Sequence, residues 1–180
     1  IVGQRRLQDR SLAEGAKNRV GGGRPGYIVP RASDAVAAAE SLYADRLLPL
    51  GRILLKRIRE RGAKAAGSAS CEGVDVDSAP LIDPKGLRQV CEACEGLRVQ
   101  PEEGKEYSVL IAGRAQNFVD VSSPVDCYPA AMWEELVAYL KNLPEDAELP
   151  GGRYACAQVL VGRRLPFLMG LPLGEVCHIV

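Results

Sequence analysis

At 180 residues, 47% hydrophobic and 26% charged, the chain has the composition of one ordinary folded domain or two very small ones, and with 5% aromatics any core must be mostly aliphatic. Net charge is zero but segregated: residues 1 to 66 carry 14 Lys and Arg against 6 Asp and Glu, leaving 9 against 17 behind them. Arg163 and Arg164 interrupt the longest apolar stretch, and Pro166, Gly170, Pro172 and Gly174 punctuate the residues after them, which excludes a helical membrane span.

Residues 1–32 show little periodicity and carry "GGGRPG", so they read as an extended basic arm. The start at Ile1, without the apolar centre of a signal peptide, reads as a processed product or a fragment. "IVGQ" resembles the mature amino terminus of trypsin-like proteases, but the sole histidine is His178 and no Ser follows in a Gly-rich nucleophile setting. Gly21, Gly23 and Gly26 satisfy G-x-G-x-x-G. No strand precedes them, Pro25 lacks an N–H, and "YIVP" rather than a helix follows, so a phosphate cradle is not supported.

A unit over residues 33–125 comes next. Ser33 is suited to cap an Ala-rich helix, "DAVAAAESLYADRLL", and Pro49 breaks the chain before "LGRILLKRIRERGAK". That second stretch spaces Leu50, Ile53, Leu54 and Ile58 along one buried face and holds six basic side chains. It lacks aromatic anchors, which disfavours a membrane-surface role. A core helix with a solvated back competes with a helix that meets nucleic acid or an acidic partner. Residues 66–80 form a polar, small-residue insert, expected as a mobile loop.

Asp83 and Pro84 then open a helix through "KGLRQVCEACEGL", with Leu87, Val90, Cys91 and Cys94 on one face. "RVQPEEGKE" turns the chain. "YSVLI" is ambiguous between helix and strand, whereas "FVDV" alternates as a strand does.

A second helical unit, residues 126–180, begins with "AAMWEELVAYLKNL". Met132, Leu136, Val137, Leu140 and Leu143 are expected inward there, with Trp133 nearby and Pro144 ending the helix. "RYACAQVLVGRR" and "LPLGEVCHIV" give two more helical stretches joined by a Gly/Pro-rich bridge. The last reads as a helix still in progress, with Leu173, Val176, Cys177 and Val180 on one face, as if native sequence continued. The expected fold is mainly α, with small winged-helix-like helical domains, the basic arm and little β.

Six cysteines, at 71, 91, 94, 127, 156 and 177, are scattered through a chain large enough to need no staples. They are expected as free thiols in a reducing compartment: cytoplasm, nucleus or organelle stroma. Cys91, Cys94, Cys177 and His178 are a zinc-ligand set by type. Against it, Glu92 and Ala93 lie between the first pair inside a helix, where two small thiols also describe a packed face. With no His beside Glu134 and Glu135, acid–base catalysis is hard to assemble, so no enzyme activity and no cofactor are expected.

"LGRILLKRIRE", "DPKGLRQVCEACEGL" and "YSVLIAGRAQNFVDV" together resemble the first helix, the second helix, and the third helix plus wing strand of the LOTUS (OST-type helix-turn-helix) family. That winged-helix module is implicated in RNA binding and in docking RNA helicases. The resemblance runs over residues 47–121. Two departures stand out: the insert at 66–80 is longer and more acidic, and Gly113 falls where the third helix should be continuous.

The resemblance and the basic front together imply contact rather than catalysis, with RNA or an acidic protein surface as partner. The residues expected to make it are Arg24, Arg31, Arg52, Lys56, Arg57, Arg59, Arg61 and Lys64. The rival expectation is a structural or adaptor subunit of a larger assembly, an organellar one included.

Overall fold

A computed structural model describes residues 26–65, 69–70, 73–74, 80–144 and 147–180. Most of the expected basic arm, including Arg24, and Cys71 in the insert lie outside the described residues. Six α-helices and a few short strands are described, so the fold is mainly α.

Helix α1 (Ala32–Ala44) buries Ala35, Ala38, Ala39 and Leu42 completely, and these mostly small side chains let neighbouring helices approach closely. It starts two residues before the position expected from a cap at Ser33. Arg31 is the N-cap, and the Asp34 carboxylate reaches back to the Arg31 backbone N–H at 3.2 Å and to its guanidinium at 3.0 Å. An acid three residues into the helix satisfies the end that Ser33 was expected to satisfy. After the break at buried Pro49, helix α2 (Gly51–Ala65) packs back on α1 and buries Leu54 and Ile58. Gly51 lets the Tyr107 ring lie close against the helix start, since a Cβ would stand 2.5 Å from that ring and force it to shift.

Strands β1 (Tyr27–Ile28) and β4 (Leu81–Ile82) pair in parallel, which brings part of the expected arm into the fold. Within the insert, β2 (Ala69–Ser70) and β3 (Gly73–Val74) pair antiparallel. Helix α3 (Pro84–Ala93) begins as its sequence indicates: the Asp83 side chain accepts from the Lys85 N–H and Pro84 occupies the first turn. It ends earlier than expected. Cys94 is already extended, at φ −92° and ψ 113°, and Leu97 opens a strand.

That strand, β5 (Leu97–Pro101), forms an antiparallel hairpin with β6 (Tyr107–Ile111), pairing Leu97 with Ile111 and Val99 with Val109. Leu50 adds a single bridge to Ser108 on the free edge of β6. "YSVLI" is therefore a strand rather than the start of a third helix, and "FVDV" carries no strand. The reason is burial: Ser108, Val109 and Leu110 are all inside, and a short run buried on both faces loses the alternation that would identify it. Three helices followed by a hairpin keep the winged-helix-like order, shifted by one element. The helix preceding the wing is α3, and α1, not α2, is the first.

Beyond an irregular stretch, helix α4 (Ala130–Lys141) buries Met132 and Leu136. Val137 and Leu140, expected inward, are 46% and 42% exposed. Helices α5 (Arg153–Gly162) and α6 (Leu173–Ile179) follow, joined by a short 3-10 turn at Pro166–Leu168. Leu173, Val176 and Cys177 point inward as expected, whereas Val180 is exposed. One buried cluster contains Leu42, Leu54, Leu87 and Val109 together with Leu160 and Val176, so α5 and α6 share the core of the first three helices. Contact there is close: the Gly174 N–H donates to the Asp45 carbonyl at 2.8 Å, and a Cβ on Gly174 would lie 2.6 Å from the Arg46 carbonyl oxygen.

Candidate nucleic-acid interface

Helical geometry places Arg52, Lys56 and Arg59 on one stripe of α2, at spacings of four and three residues. Arg52 and Lys56 are exposed and Arg59 is half-buried. Arg52 has one ionic partner close by, the Glu106 carboxylate at 3.3 Å, and Lys56 lies 5.9 Å from the centre of the Tyr154 ring.

Arg57 corrects the sequence-based list. Its side chain is only 10% exposed and turns inward, where it cannot meet a partner. Its guanidinium donates to Tyr154 Oη at 3.0 Å and Ser41 Oγ at 2.5 Å, and pairs with Asp45 at 2.6 Å and Glu60 at 3.4 Å. Tyr154 in turn donates to Glu60 at 2.9 Å, as does Gln158. Burial works against the Arg57 charge, but Tyr154 and Asp45 outweigh it and hold the guanidinium more firmly protonated than usual. Burial also pushes the Tyr154 phenol well above its ordinary range, with Arg57 pulling back and Glu60 adding to the rise. Two buried opposite charges are tolerable because each has several hydrogen-bond partners.

The other predicted cations are placed elsewhere. Arg31 and Arg61 both act on Asp34, whose carboxyl is held below its usual value chiefly by the hydrogen bond from Arg31. They therefore mark the end of the α1–α2 pair remote from Arg52. Lys64 is exposed in the last turn of α2. The fold thus brings Arg52, Lys56 and Arg59 together, gathers Arg31 and Arg61 separately, and removes Arg57.

Beside the Arg52–Lys56 stripe lies a groove of about 710 Å³. Leu47, Leu50, Ile53, Phe118 and Val121 supply its apolar lining, and the exposed cations along it are Arg52, Lys56 and Arg153. Its far wall is the irregular segment after β6. The Val119 N–H donates to the Arg46 carbonyl at 2.8 Å, the Phe118 ring meets Tyr43 edge-on at 4.8 Å, and Arg153 donates to the Val121 carbonyl at 2.8 Å. Sequence reading missed this wall and the contribution of α5, because neither is local to α2. For Arg57 a signal was available: it falls between Leu54 and Ile58, both of which face inward.

Among the described residues, no group of three or more His, Cys, Asp or Glu side chains is placed to hold a metal. Cys91 and Cys94 lie on or beside α3, whereas Cys177 and His178 are on α6. His178 is engaged through Nδ1 by Tyr128 Oη at 3.0 Å and through Nε2 by the Ser123 carbonyl at 2.9 Å. Cys91, Cys94, Cys127, Cys156 and Cys177 are free thiols. Burial pushes Cys91 and Cys177 up to about 11, so neither is a thiolate near neutrality. No helix among the described residues is long and apolar enough to cross a membrane.

A family model for the OST-HTH Associated domain matches residues 142–180, the stretch that contains α5 and α6. No curated protein and no solved structure matches the chain. The carboxy-terminal segment is therefore similar to a domain named for its association with OST-HTH modules, in agreement with the LOTUS resemblance of residues 47–121.

Proposed function

We propose that the chain is a non-catalytic module that contacts RNA through phosphates, using the exposed stripe of α2 and the basic amino-terminal residues. The observation that carries this reading is the sorting of cations on α2. Arg57 is bound inside the fold, while Arg52 and Lys56 remain exposed on a common stripe with Arg59. Phosphate contact needs such cations and supplies affinity without sequence readout. Arg31, Arg61 and Lys64 extend the basic surface at the other end of the helix pair, and Arg24 would add to it from the arm. No cofactor is required, and the free thiols suit a reducing compartment. Titrating the full chain against a fluorescent single-stranded RNA tests the reading. Binding should be measurable at low salt and lost on combined Arg52→Glu, Lys56→Glu and Arg59→Glu; binding unchanged by that reversal would reject it.

A second reading, an adaptor within a larger assembly, draws on Val137 and Leu140. These two apolar side chains of α4 stand exposed one helical turn apart. Loss of solubility on separation from neighbours, repaired by polar substitution of both, would favour it.

A further inference from the structure

We propose that the groove between α2, residues 118–122 and the start of α5 is a docking site for an acidic, amphipathic peptide segment of a partner protein. The inference rests on the reading of this chain as a contact module, but not on RNA as its partner.

Two features of the lining choose the occupant. Its sides are largely aliphatic, with Leu47, Leu50, Ile53 and Val121; of the two rings that line it, Phe118 and Tyr154, the second is buried and engaged by Arg57 and Glu60. Such a surface suits the Leu or Phe anchors of a peptide better than a series of stacked bases, which want flat aromatic platforms. The charges along it are Arg52, Lys56 and Arg153 against Asp120, three to one in favour of cations. An occupant must therefore be apolar on one side and negative on the other.

Arg52 already shows the contact. It holds the Glu106 carboxylate at 3.3 Å while two-thirds exposed, a weak pairing that a partner's carboxylate can replace. Lys56 stands one helical turn further on. The basic amino-terminal residues are the wrong occupant by sign: residues 1 to 25 carry six Lys and Arg against two Asp and Glu.

The test uses the full chain and a short fluorescent peptide in which Leu and Phe alternate with Asp and Glu. A control peptide replaces the acids by Lys, and a single-stranded RNA is titrated in parallel. Ile53→Asn and Val121→Asn probe the lining separately, one on α2 and one off it, so that misfolding of either variant leaves the other informative. The expected result is saturable binding of the acidic peptide, weakened at least about tenfold by each Asn variant and by Arg52→Glu with Lys56→Glu. RNA affinity should persist in the two Asn variants. No binding, equal binding of the Lys peptide, or indifference to both Asn variants would overturn the proposal and leave the RNA reading standing. RNA binding that falls with Ile53→Asn and Val121→Asn while the peptide fails to bind would assign the groove to RNA and also overturn it. Absence of RNA binding with the peptide result intact would reject the RNA reading alone. Concentration-dependent dimerisation abolished by both Asn variants, without peptide binding, would make a second copy the occupant and contradict the proposal.

Discussion

Arg57 and Tyr154 stand 97 residues apart in the chain, yet the guanidinium Nε donates to the phenol oxygen at 3.0 Å in a buried site. This bond fastens α5, within the segment similar to the OST-HTH Associated domain, to the basic helix of the winged-helix-like unit. It also decides which cations of α2 are left for a partner.

Removing the phenol hydroxyl tests that fastening. Tyr154→Phe keeps the ring but strips a partner from both Arg57 and Glu60, and should cost about 1–3 kcal/mol. Arg57→Ala should cost more, about 3–5 kcal/mol, because Glu60 would remain as an uncompensated buried charge. Denaturant unfolding of both variants checks the order; equal stability of wild type and Arg57→Ala would contradict it.

Helix α4 offers an internal control. Leu136 is 6% exposed and Leu140 42%. Leu136→Ala should lower stability by about 2–5 kcal/mol as a core truncation. Leu140→Ser should stay within about 0.5 kcal/mol. Thermal melts compare them directly, and a larger loss at Leu140 would mean that this face is covered.

Gly174 marks the closest approach of α6 to the end of α1. A Cβ there would lie 2.6 Å from the Arg46 carbonyl oxygen and 2.8 Å from that of Asp45, both backbone atoms with little room to yield. Gly174→Ala should destabilise by about 1–3 kcal/mol despite the better helix propensity of Ala. A neutral or stabilising result by denaturant unfolding would contradict this packing.

The thiols should react in order of exposure. Cys127 is exposed, whereas Cys91 and Cys177 are buried with their ionisation pushed up to about 11. At mildly alkaline pH, a thiol reagent should modify Cys127 first and leave Cys91 and Cys177 until unfolding. Linkage sets the sign for stability. A folded-state value raised from 9.0 to about 11 contributes stability that is fully present below about 9 and lost as pH rises through 11. Mass spectrometry after timed labelling reports the order of reaction, and melts between pH 8 and 11 report the loss.

Legibility in the sequence tracked locality. The starts of α2 and α3, and the existence of α4, α5 and α6, follow from caps, prolines and apolar spacing within each segment. Asp83–Pro84 is the clearest instance, because both the cap and the proline act on the helix they open. β6 was not legible, since Ser108 is as buried as Val109 and the run does not alternate. The place of Arg57 between Leu54 and Ile58 signals its inward turn, but its partners Asp45 and Tyr154 come from two other segments and were not legible. The cationic stripe was half legible: Arg52 and Lys56 are exposed as a wheel suggests, but the groove beside them exists only once residues 118–122 and α5 close its far side. A basic helix alone does not reveal which of its charges the fold consumes.

The salt dependence of RNA affinity, compared between wild type and Arg52→Ala with Lys56→Ala, probes phosphate contact by α2 most directly. Each phosphate contact on a single strand contributes about 0.7 to the slope of log affinity against log salt, so loss of two should flatten the slope by about 1.4. That flattening is expected together with weaker binding. Identical slopes and affinities would show that these two cations are merely solvated and would contradict a role for them in RNA contact.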